Sequence, residues 1–316
     1  MLIRVATSVL MLVATSVVIF LALRWLPGDP VLARIGTTKG VTQETIDHMR
    51  AELGLNHSLV SQYFTWVGGI FHGDFGTSYS NGFSVGKLIG QRIGVTIELT
   101  LVAVGLAILV AVPLAIVASL RPHGWLDRGI SAISSVGMAF PPFVAAVFLL
   151  IIFSVELGWL PARGYVSLFS DPLENIRDMV LPAVATATVA APLIIRYLRA
   201  DLVAALNAPF VRTAEGKGVP RRRVVIKHAL RNAMIPALTS TGLVFGYTLG
   251  GSVVIEYVFG LPGLGSLAVE SALRRDYSVL QGVVILLCAF FIFTTLIVDL
   301  IGHAIDPRVR FGGRDG

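Results

Sequence analysis

The segment 210–236, FVRTAEGKGVPRRRVVIKHALRNAMIP, concentrates the side chains of this chain that are best suited to bind an acidic partner. It holds seven Lys or Arg residues and one acidic residue, Glu215. Guanidinium groups bind carboxylates and phosphates through paired hydrogen bonds. Nucleic acid, acidic lipid and an acidic protein surface are therefore all candidate partners of this segment.

Other patterns that could support nucleotide chemistry or catalysis are incomplete. Segment 82–88, GFSVGKL, is one residue short of a phosphate-binding loop and lacks the Ser or Thr that would hold magnesium. Gly263-Leu264-Gly265 follows no strand, so it is not a dinucleotide site. The sequence shows no Ser-His-Asp set and no metal-spaced His set, and the lone Cys288 can form neither an internal disulfide nor a metal site by itself. We expect no enzyme activity, cofactor or metal in this chain.

The elements around the basic segment are apolar and long enough to cross a membrane. The chain is 55% hydrophobic and 14% charged, with a mean hydropathy of +0.79, which indicates an integral membrane protein. A spanning helix needs about 20 apolar residues, whereas barrel strands alternate over about ten. Six unbroken stretches predict an all-α fold with six transmembrane helices: Val5–Trp25, Thr96–Leu120, Ile130–Leu157, Met179–Leu198, Met234–Val258 and Val279–Ile301. We interpret the first as a retained anchor rather than a cleaved signal.

The distribution of basic residues predicts the orientation in the membrane. With the N-terminus in the cytoplasm, the cytoplasmic segments hold 15 of the 25 Lys and Arg residues, as the positive-inside rule requires. The opposite orientation would expose the basic segment outside the cell. We expect both termini in the cytoplasm, and the net charge of +6 then needs no nucleic acid to explain it.

Residues 26–92 leave the membrane on the outer face and predict a small external helical cap between the first two spans. Leu26-Pro27-Gly28-Asp29-Pro30 ends the first helix. Thr42 is a suitable N-cap for a short helix, and the aromatic stretch 58–71 forms a second one. Aromatic residues beside the outer membrane surface could either contact a partner or simply anchor the segment at the membrane interface.

Prolines and glycines within the spans indicate kinks and close packing. The pair Pro141-Pro142 could serve a pathway that opens and closes, although prolines are common in membrane helices. Gly242, Gly246 and Gly250 recur at four-residue intervals, so they share one helix face that another helix can approach closely.

The basic segment itself is predicted to form two short helices around a glycine turn. A helix over 201–214 is broken by Gly216 and Gly218, and Pro220 begins a second helix over 221–232. Helix-turn-helix readers of nucleic acid generally sit in a soluble domain, whereas this pair is tethered to spans at both ends. Lipid contact explains the arginines but not the turn. Docking into a groove of a protein partner explains both.

This segment resembles the EAA loop of the membrane subunits of binding-protein-dependent ABC importers. Its general pattern matches only at Ala214, Gly218 and Leu230, but the variant of the first, B-type permease of dipeptide and oligopeptide importers, approximately FVRTARAKG followed by HALRNALIP, matches closely. Further stretches match the same family in order along the chain: Leu26–Pro30, Leu53–Leu55, Gly73–Gly76, Leu157–Pro161 and Val258–Gly265.

The resemblance implies a type I ABC importer permease fold and the division of the chain that goes with it. Residues 1–25 would be an anchor helix, 26–92 the external segment, 93–303 a five-helix core with a coupling loop at 201–233, and 304–316 a cytoplasmic tail. It also implies that one set of residues contacts the ATPase: Arg212, Thr213, Ala214, Glu215, Gly216, Lys217, Gly218, Val219, Pro220, His228 and Leu230.

The implied function is import of peptides across the bacterial inner membrane by alternating access, with this chain forming half of the pathway. The implied partners are a second, C-type permease, one or two cytosolic ATPase subunits that bind ATP and Mg, an external solute-binding protein, membrane lipid and the peptide. Nickel complexes, glutathione or another small solute are alternative substrates. A more distant alternative is an ion-coupled transporter, but Glu98, Glu256, Asp299 and His303 all fall near span ends, where interfacial solvation would suffice.

Overall fold

The computed structural model describes residues 2–25, 42–52 and 54–305. Its helices, in chain order, are α1 Leu2–Trp25, α2 Gln43–Glu52, α3 Leu59–Phe71, α4 Val85–Leu120, α5 Trp125–Ala139, α6 Pro142–Leu149, α7 Pro172–Leu206, α8 Pro209–Gly216, α9 Leu230–Phe259, α10 Leu264–Leu273 and α11 Tyr277–Ile305. A π-helical segment, Leu150–Glu156, continues α6, and another, Val224–Ala229, follows the turn Arg221–Arg223 and leads into α9. The Leu26–Pro30 motif, Leu53 and the tail after residue 305 lie outside the described residues.

Five helices are long and apolar enough to cross a membrane, and a pair of helices bent against each other brings the number to six if it is counted as one span. The five are Arg4–Trp25, Val85–Leu120, Pro172–Leu206, Pro236–Phe259 and Tyr277–Gly302. In the remaining pair, Trp125–Ala139 and Pro142–Glu156, the two parts meet at an angle of 96°. The predicted all-helical membrane fold is confirmed, and the kink predicted within Ile130–Leu157 is a full break at Pro141-Pro142.

The break in this span follows from the proline pair. Pro141 has φ −61° and ψ 138°, which is extended backbone, because the ring of Pro142 disfavours helical geometry in the residue before it. Pro142 then occupies the first turn of α6, where its missing N–H leaves no hydrogen bond unmade.

The centre of the bundle is built from α4, α7 and α9, with α11 against α9 and α1 against α11. Five alanines on the inward face of α4 have no exposed surface: Ala103, Ala107, Ala111, Ala115 and Ala118. Ala107 and Ala111 pack with Ala187, Ala190 and Ala191 of α7. Such small side chains let two helices approach closely, which is the main source of packing energy within a membrane.

The three spaced glycines of α9 lie in two different environments. A Cβ atom at Gly242 would overlap Val298 of α11, and one at Gly246 would lie 2.9 Å from Phe291 of the same helix. A Cβ atom at Gly250 would meet nothing within 4 Å, because this glycine borders a groove of about 630 Å³ between α1, α9 and α11.

The external segment is held against the first span by aromatic contacts. The ring of Phe20 in α1 lies 5.5 Å from Tyr63 and 6.1 Å from Trp66 of α3, and the Ser16 and Tyr63 hydroxyls are 2.8 Å apart. Helix α4 already begins at Val85, so the predicted domain boundary after residue 92 falls inside a continuous helix.

Candidate functional site

The basic segment forms one end of the bundle, together with loop 121–124; we call this the basic end. The helix predicted over 201–214 is divided there, because α7 stops at Leu206 and α8 begins at Pro209. Ala208 is extended, with φ −72° and ψ 151°, as the residue before a proline tends to be. The predicted second helix does not stop at Asn232, since α9 continues through it into the fifth span.

A left-handed glycine closes α8. Gly218 has φ +76°, its N–H donates to the Glu215 carbonyl at 2.9 Å, and the Val219 N–H donates to the Ala214 carbonyl at 3.1 Å. A Cβ atom on Gly216 or Gly218 would meet nothing within 4 Å. Gly218 is therefore required for the turn of the backbone, and the space around it is open to a partner.

Most residues expected to contact a partner are exposed on α8 and its turn. The exposed ones are Arg212, Thr213, Glu215, Gly216, Lys217, Gly218 and Pro220, while Ala214 and Val219 are half-buried. Leu230 lies elsewhere, because it packs inside the bundle with Ala115, Leu198 and Ala233. His228 is half-buried on the π-helical segment.

The exposed face of α8 rests on a buried apolar underside. Val211 is 3% exposed, and Val224 and Val225 of the π-helical segment are 1% and 4% exposed. Beneath α8 lies a cavity of about 290 Å³, bordered by the end of α4 and by the side chains of Arg212 and Glu215. Helix α8 thus contacts the π-helical segment, which in turn contacts α7 and α9.

A buried ion pair joins the other part of the basic end to α7. The guanidinium of Arg199 donates two hydrogen bonds to the Asp127 carboxylate: its Nε donates to Oδ1, and its Nη2 donates to Oδ2 at 2.6 Å. The same carboxylate accepts from the N–H of His123 at 2.7 Å and is 3% exposed. This pair fixes loop 121–124 two turns before α7 ends. No local sequence pattern predicts this pair, although an arginine within an apolar span signals a buried partner.

The opposite end of the bundle holds a second buried carboxylate. Glu256 has no exposed surface, and its Oε2 accepts from the N–H groups of Gly265 at 2.7 Å and Ser266 at 3.3 Å. A Cβ atom on Gly263 or Gly265 would overlap this carboxylate or the α9 backbone. The expectation that interfacial solvation accounts for Glu256 is wrong, because the start of α10 solvates it.

Two other acidic residues considered for ion coupling also have structural partners. Glu98 accepts from the Tyr165 hydroxyl at 2.8 Å and from the Asn175 side chain at 2.7 Å. Burial, together with the Glu98 carboxylate, raises the pKa of Tyr165 to about 12. Asp299 pairs with Arg4 at 2.7 Å. The side chain of His303 lies outside the described residues.

The spans enclose an apolar groove of about 400 Å³ between α5, α7, α9 and α11. Tyr197 and Tyr247 border it with exposed fractions of 42% and 62%, so two hydroxyl groups lie along an otherwise apolar wall. Among residues 2–25, 42–52 and 54–305, no group of three His, Cys, Asp or Glu side chains could hold a metal ion.

Comparison with known proteins identifies relatives of the whole chain. Residues 111–311 match the family described as binding-protein-dependent transport system inner membrane component, and residues 1–100 match its N-terminal counterpart. A protein of Brucella abortus (strain 2308) named as a peptide transport system permease is 37% identical over 308 residues, 98% of each chain. A glutathione transport system permease of Shigella flexneri serotype 5b (strain 8401) is 38% identical over 296 residues, 94% of each chain.

A solved structure shows the same fold. The chain is similar to a chain of the MetNI methionine ABC transporter in an inward-facing conformation, with a TM-score of 0.58 and 18% identity over 69% of this chain and 96% of that one. At that identity the likeness concerns the arrangement of the helices alone.

Proposed function

This chain belongs to the family of binding-protein-dependent transport system inner membrane components, and we propose that it is the B-type permease subunit of an ATP-driven importer of peptides. Permeases of this kind form the membrane pathway of ABC importers, and separate subunits hydrolyse ATP. The observation that carries the proposal is whole-length similarity to transport permeases together with an exposed, rigidly supported glycine turn at the basic end.

The exposed face of α8 is the proposed contact with a cytosolic ATPase. Arg212 and Lys217 offer cations to a carboxylate-lined cleft, while Gly216 and Gly218 leave room for its walls. Buried Val211, Val224 and Val225 would transmit movement of α8 to the spans. Closure of two ATPase subunits around ATP would then swing the helices between inward-open and outward-open arrangements.

Peptides are the proposed substrate class. Several relatives are named as peptide transport permeases and others as glutathione transport permeases. Glutathione is itself a tripeptide, so both names agree on a short peptide that an external binding protein would deliver. The groove beside Tyr197 and Tyr247 is the proposed part of the pathway, completed by a second, C-type permease.

We assign the basic end to the cytoplasm, which gives cytoplasmic termini in the bacterial inner membrane. Support comes from the positive-inside rule and from the Arg4–Asp299 pair. Val298, the residue before Asp299, packs on Gly242 in the half of α9 nearer the basic segment. The Arg4–Asp299 pair therefore lies toward the basic end.

Reconstitution tests this function directly. The chain, its partner permease, ATPases and binding protein are placed in proteoliposomes, and uptake of labelled dipeptide, glutathione and nickel complex is measured with ATP or a non-hydrolysable analogue. Uptake of a peptide only with hydrolysable ATP is expected. Uptake driven by an ion gradient without ATPase subunits would instead assign an ion-coupled transporter.

A further inference from the structure

A cavity of about 470 Å³ lies at the side of the basic end, next to the last turn of α4; we call it the arginine cavity. Three arginines from two separate segments line it. Arg121 is the residue at which α4 ends, and Arg221 and Arg222 belong to the turn that leads into the π-helical segment. None of residues 209–216, which form α8, lines this cavity. It is therefore distinct from the α8 face proposed to contact the ATPase.

The rest of the wall of the arginine cavity is aliphatic. It consists of Ile116 and Leu120 of α4 and of Val225 and Ile226 of the π-helical segment, and Ile226 is 50% exposed. None of the described residues that line the cavity is acidic. The tail 306–316 contains three Arg and two Asp residues, so it adds no net negative charge to this end. The complementary ligand is therefore an amphiphile that carries an anionic group.

The arginine cavity lies where the span formed by α4 leaves the membrane. This span ends at Leu120, and Arg121 follows directly. Leu109, Ile116 and Leu120 are separated by seven and four residues, so they share one face of α4, and Leu109 is 70% exposed. Between Leu109 and Leu120 this face is about 16 Å long, close to the depth of one hydrocarbon leaflet, roughly 15 Å. An acyl chain on this face would place its head group at the arginines.

We propose that the arginine cavity binds the head group of one anionic phospholipid, whose acyl chain lies on the face of α4 that carries Leu109 and Ile116. Guanidinium groups bind phosphate oxygens through paired hydrogen bonds, and an anion between three cations offsets their mutual repulsion. An acidic protein surface would match the arginines but not the aliphatic face, which continues to the depth of the hydrocarbon.

The basic segment then contacts two partners on different sides. Helix α8 faces the ATPase, whereas Arg121, Arg221 and Arg222 face the bilayer. Basic pockets beside membrane helices commonly hold anionic head groups. The proposal rests neither on the solute that the importer transports nor on the α8 contact.

The binding of three defined probes to the assembled complex tests this proposal. Native mass spectrometry in detergent measures the dissociation constants of dioleoyl phosphatidylglycerol, dioleoyl phosphatidylcholine and glycerol phosphate. We expect phosphatidylglycerol to bind at least about tenfold more tightly than phosphatidylcholine, which has no net charge. Glycerol phosphate, which has no acyl chain, should bind at least about tenfold more weakly than phosphatidylglycerol. Equal binding of the two lipids, or equal binding of glycerol phosphate and phosphatidylglycerol, would overturn the proposal.

Matched variants locate the binding. Arg121→Gln and Arg222→Gln should each weaken phosphatidylglycerol binding about fivefold and leave phosphatidylcholine binding unchanged, whereas Arg222→Lys should retain most of the affinity. Ile226→Ser should weaken the binding of both lipids by about threefold, because it alters the apolar wall. Arg128→Gln is the control and should change neither constant by more than about twofold, since Arg128 is an exposed arginine near the same end that does not line the cavity.

The substituted side chains are all exposed, so each variant complex should elute from gel filtration as an intact assembly. Unchanged phosphatidylglycerol binding in the double variant Arg121→Gln, Arg222→Gln would overturn the proposal. If that double variant kept the lipid but lost the ATPase subunits, the arginines would belong to the ATPase contact instead.

Discussion

Gly218 at the basic end and the pair Gly263 and Gly265 at the opposite end are needed for different reasons. At the basic end, Gly218 adopts φ +76° and has open space around it. At the opposite end, Gly263 and Gly265 are enclosed, because a Cβ atom on either would overlap the Glu256 carboxylate or the α9 backbone. One end presents an open surface at a glycine turn, and the other is closed around buried hydrogen bonds. Residue type alone does not distinguish a glycine that leaves room for a partner from one that leaves room for its own chain.

The largest effect is expected from filling the enclosed end. Gly265→Leu would push a side chain into the backbone of Val253, which cannot move aside, and should destabilise the protein by about 3 kcal/mol or more. Gly216→Leu is the matched control, because its Cβ meets open space. Fluorescence-detected gel filtration after graded heating measures both variants. Equal stability of the two would refute the contrast between the ends.

The next effect comes from the buried ion pair at the basic end. Asp127→Leu leaves Arg199 without its carboxylate and removes the acceptor of the His123 N–H. We expect a loss of about 3 kcal/mol, the lower part of the range for buried pairs, because the Arg199 side chain retains 25% exposure. If Asp127→Leu and the double variant with Arg199→Leu were both as stable as wild type, the pair would have no structural role.

Substitution of Gly218 is expected to lower stability less than the two changes above and to have a large effect on coupled transport. Gly218→Leu should cost about 1–2 kcal/mol for a side chain in left-handed backbone, so the protein should still reach the membrane. Its added side chain should nevertheless obstruct the partner and uncouple ATP hydrolysis from uptake. The ratio of solute imported to ATP hydrolysed in proteoliposomes measures this. An unchanged ratio would exclude this turn as the coupling contact.

The smallest effect concerns Tyr165 at the closed end. Its pKa of about 12 in the folded protein lies above the unfolded value near 10, so the contribution of this group to stability is intact below pH 10 and is lost as the pH rises from 10 to 12. Tyr165→Phe should remove one late-ionising phenol from an ultraviolet titration at 295 nm and leave neutral-pH transport unchanged. A Tyr165 phenol that ionises near pH 10 would contradict the burial seen here.

The spans could be predicted from the sequence because a hydrocarbon layer imposes one simple requirement of length and polarity. The effect of each proline on its helix could not be predicted in the same way. Pro113 lies within the continuous helix α4, whereas Pro141-Pro142 divides a span at 96°. A single proline removes one hydrogen bond and can be accommodated by neighbours, but two in succession also force the first of them out of helical geometry.

The partners of the buried carboxylates could not be predicted from local sequence patterns, for a different reason. Asp127 and Arg199 are 72 residues apart, and the partners of Glu256 are backbone N–H groups across the turn between α9 and α10. Only the folded chain brings such groups together. The glycine turn and the cations of the basic segment are local features, so they could be predicted from the sequence. The ends of its helices could not, because they depend on Pro209 and on the continuation of α9 into the span.

The alanine face between α4 and α7 has a mechanical consequence. Helices that meet through larger side chains interlock, and sliding one past the other requires many rotamers to change together. Alanine has no rotamers, so the surface formed by Ala107, Ala111, Ala187 and Ala190 is nearly smooth. Two rods in contact through methyl groups can shift by a fraction of a turn while staying close-packed. The close contact between these two helices at the alanines therefore depends on few side-chain rotamers.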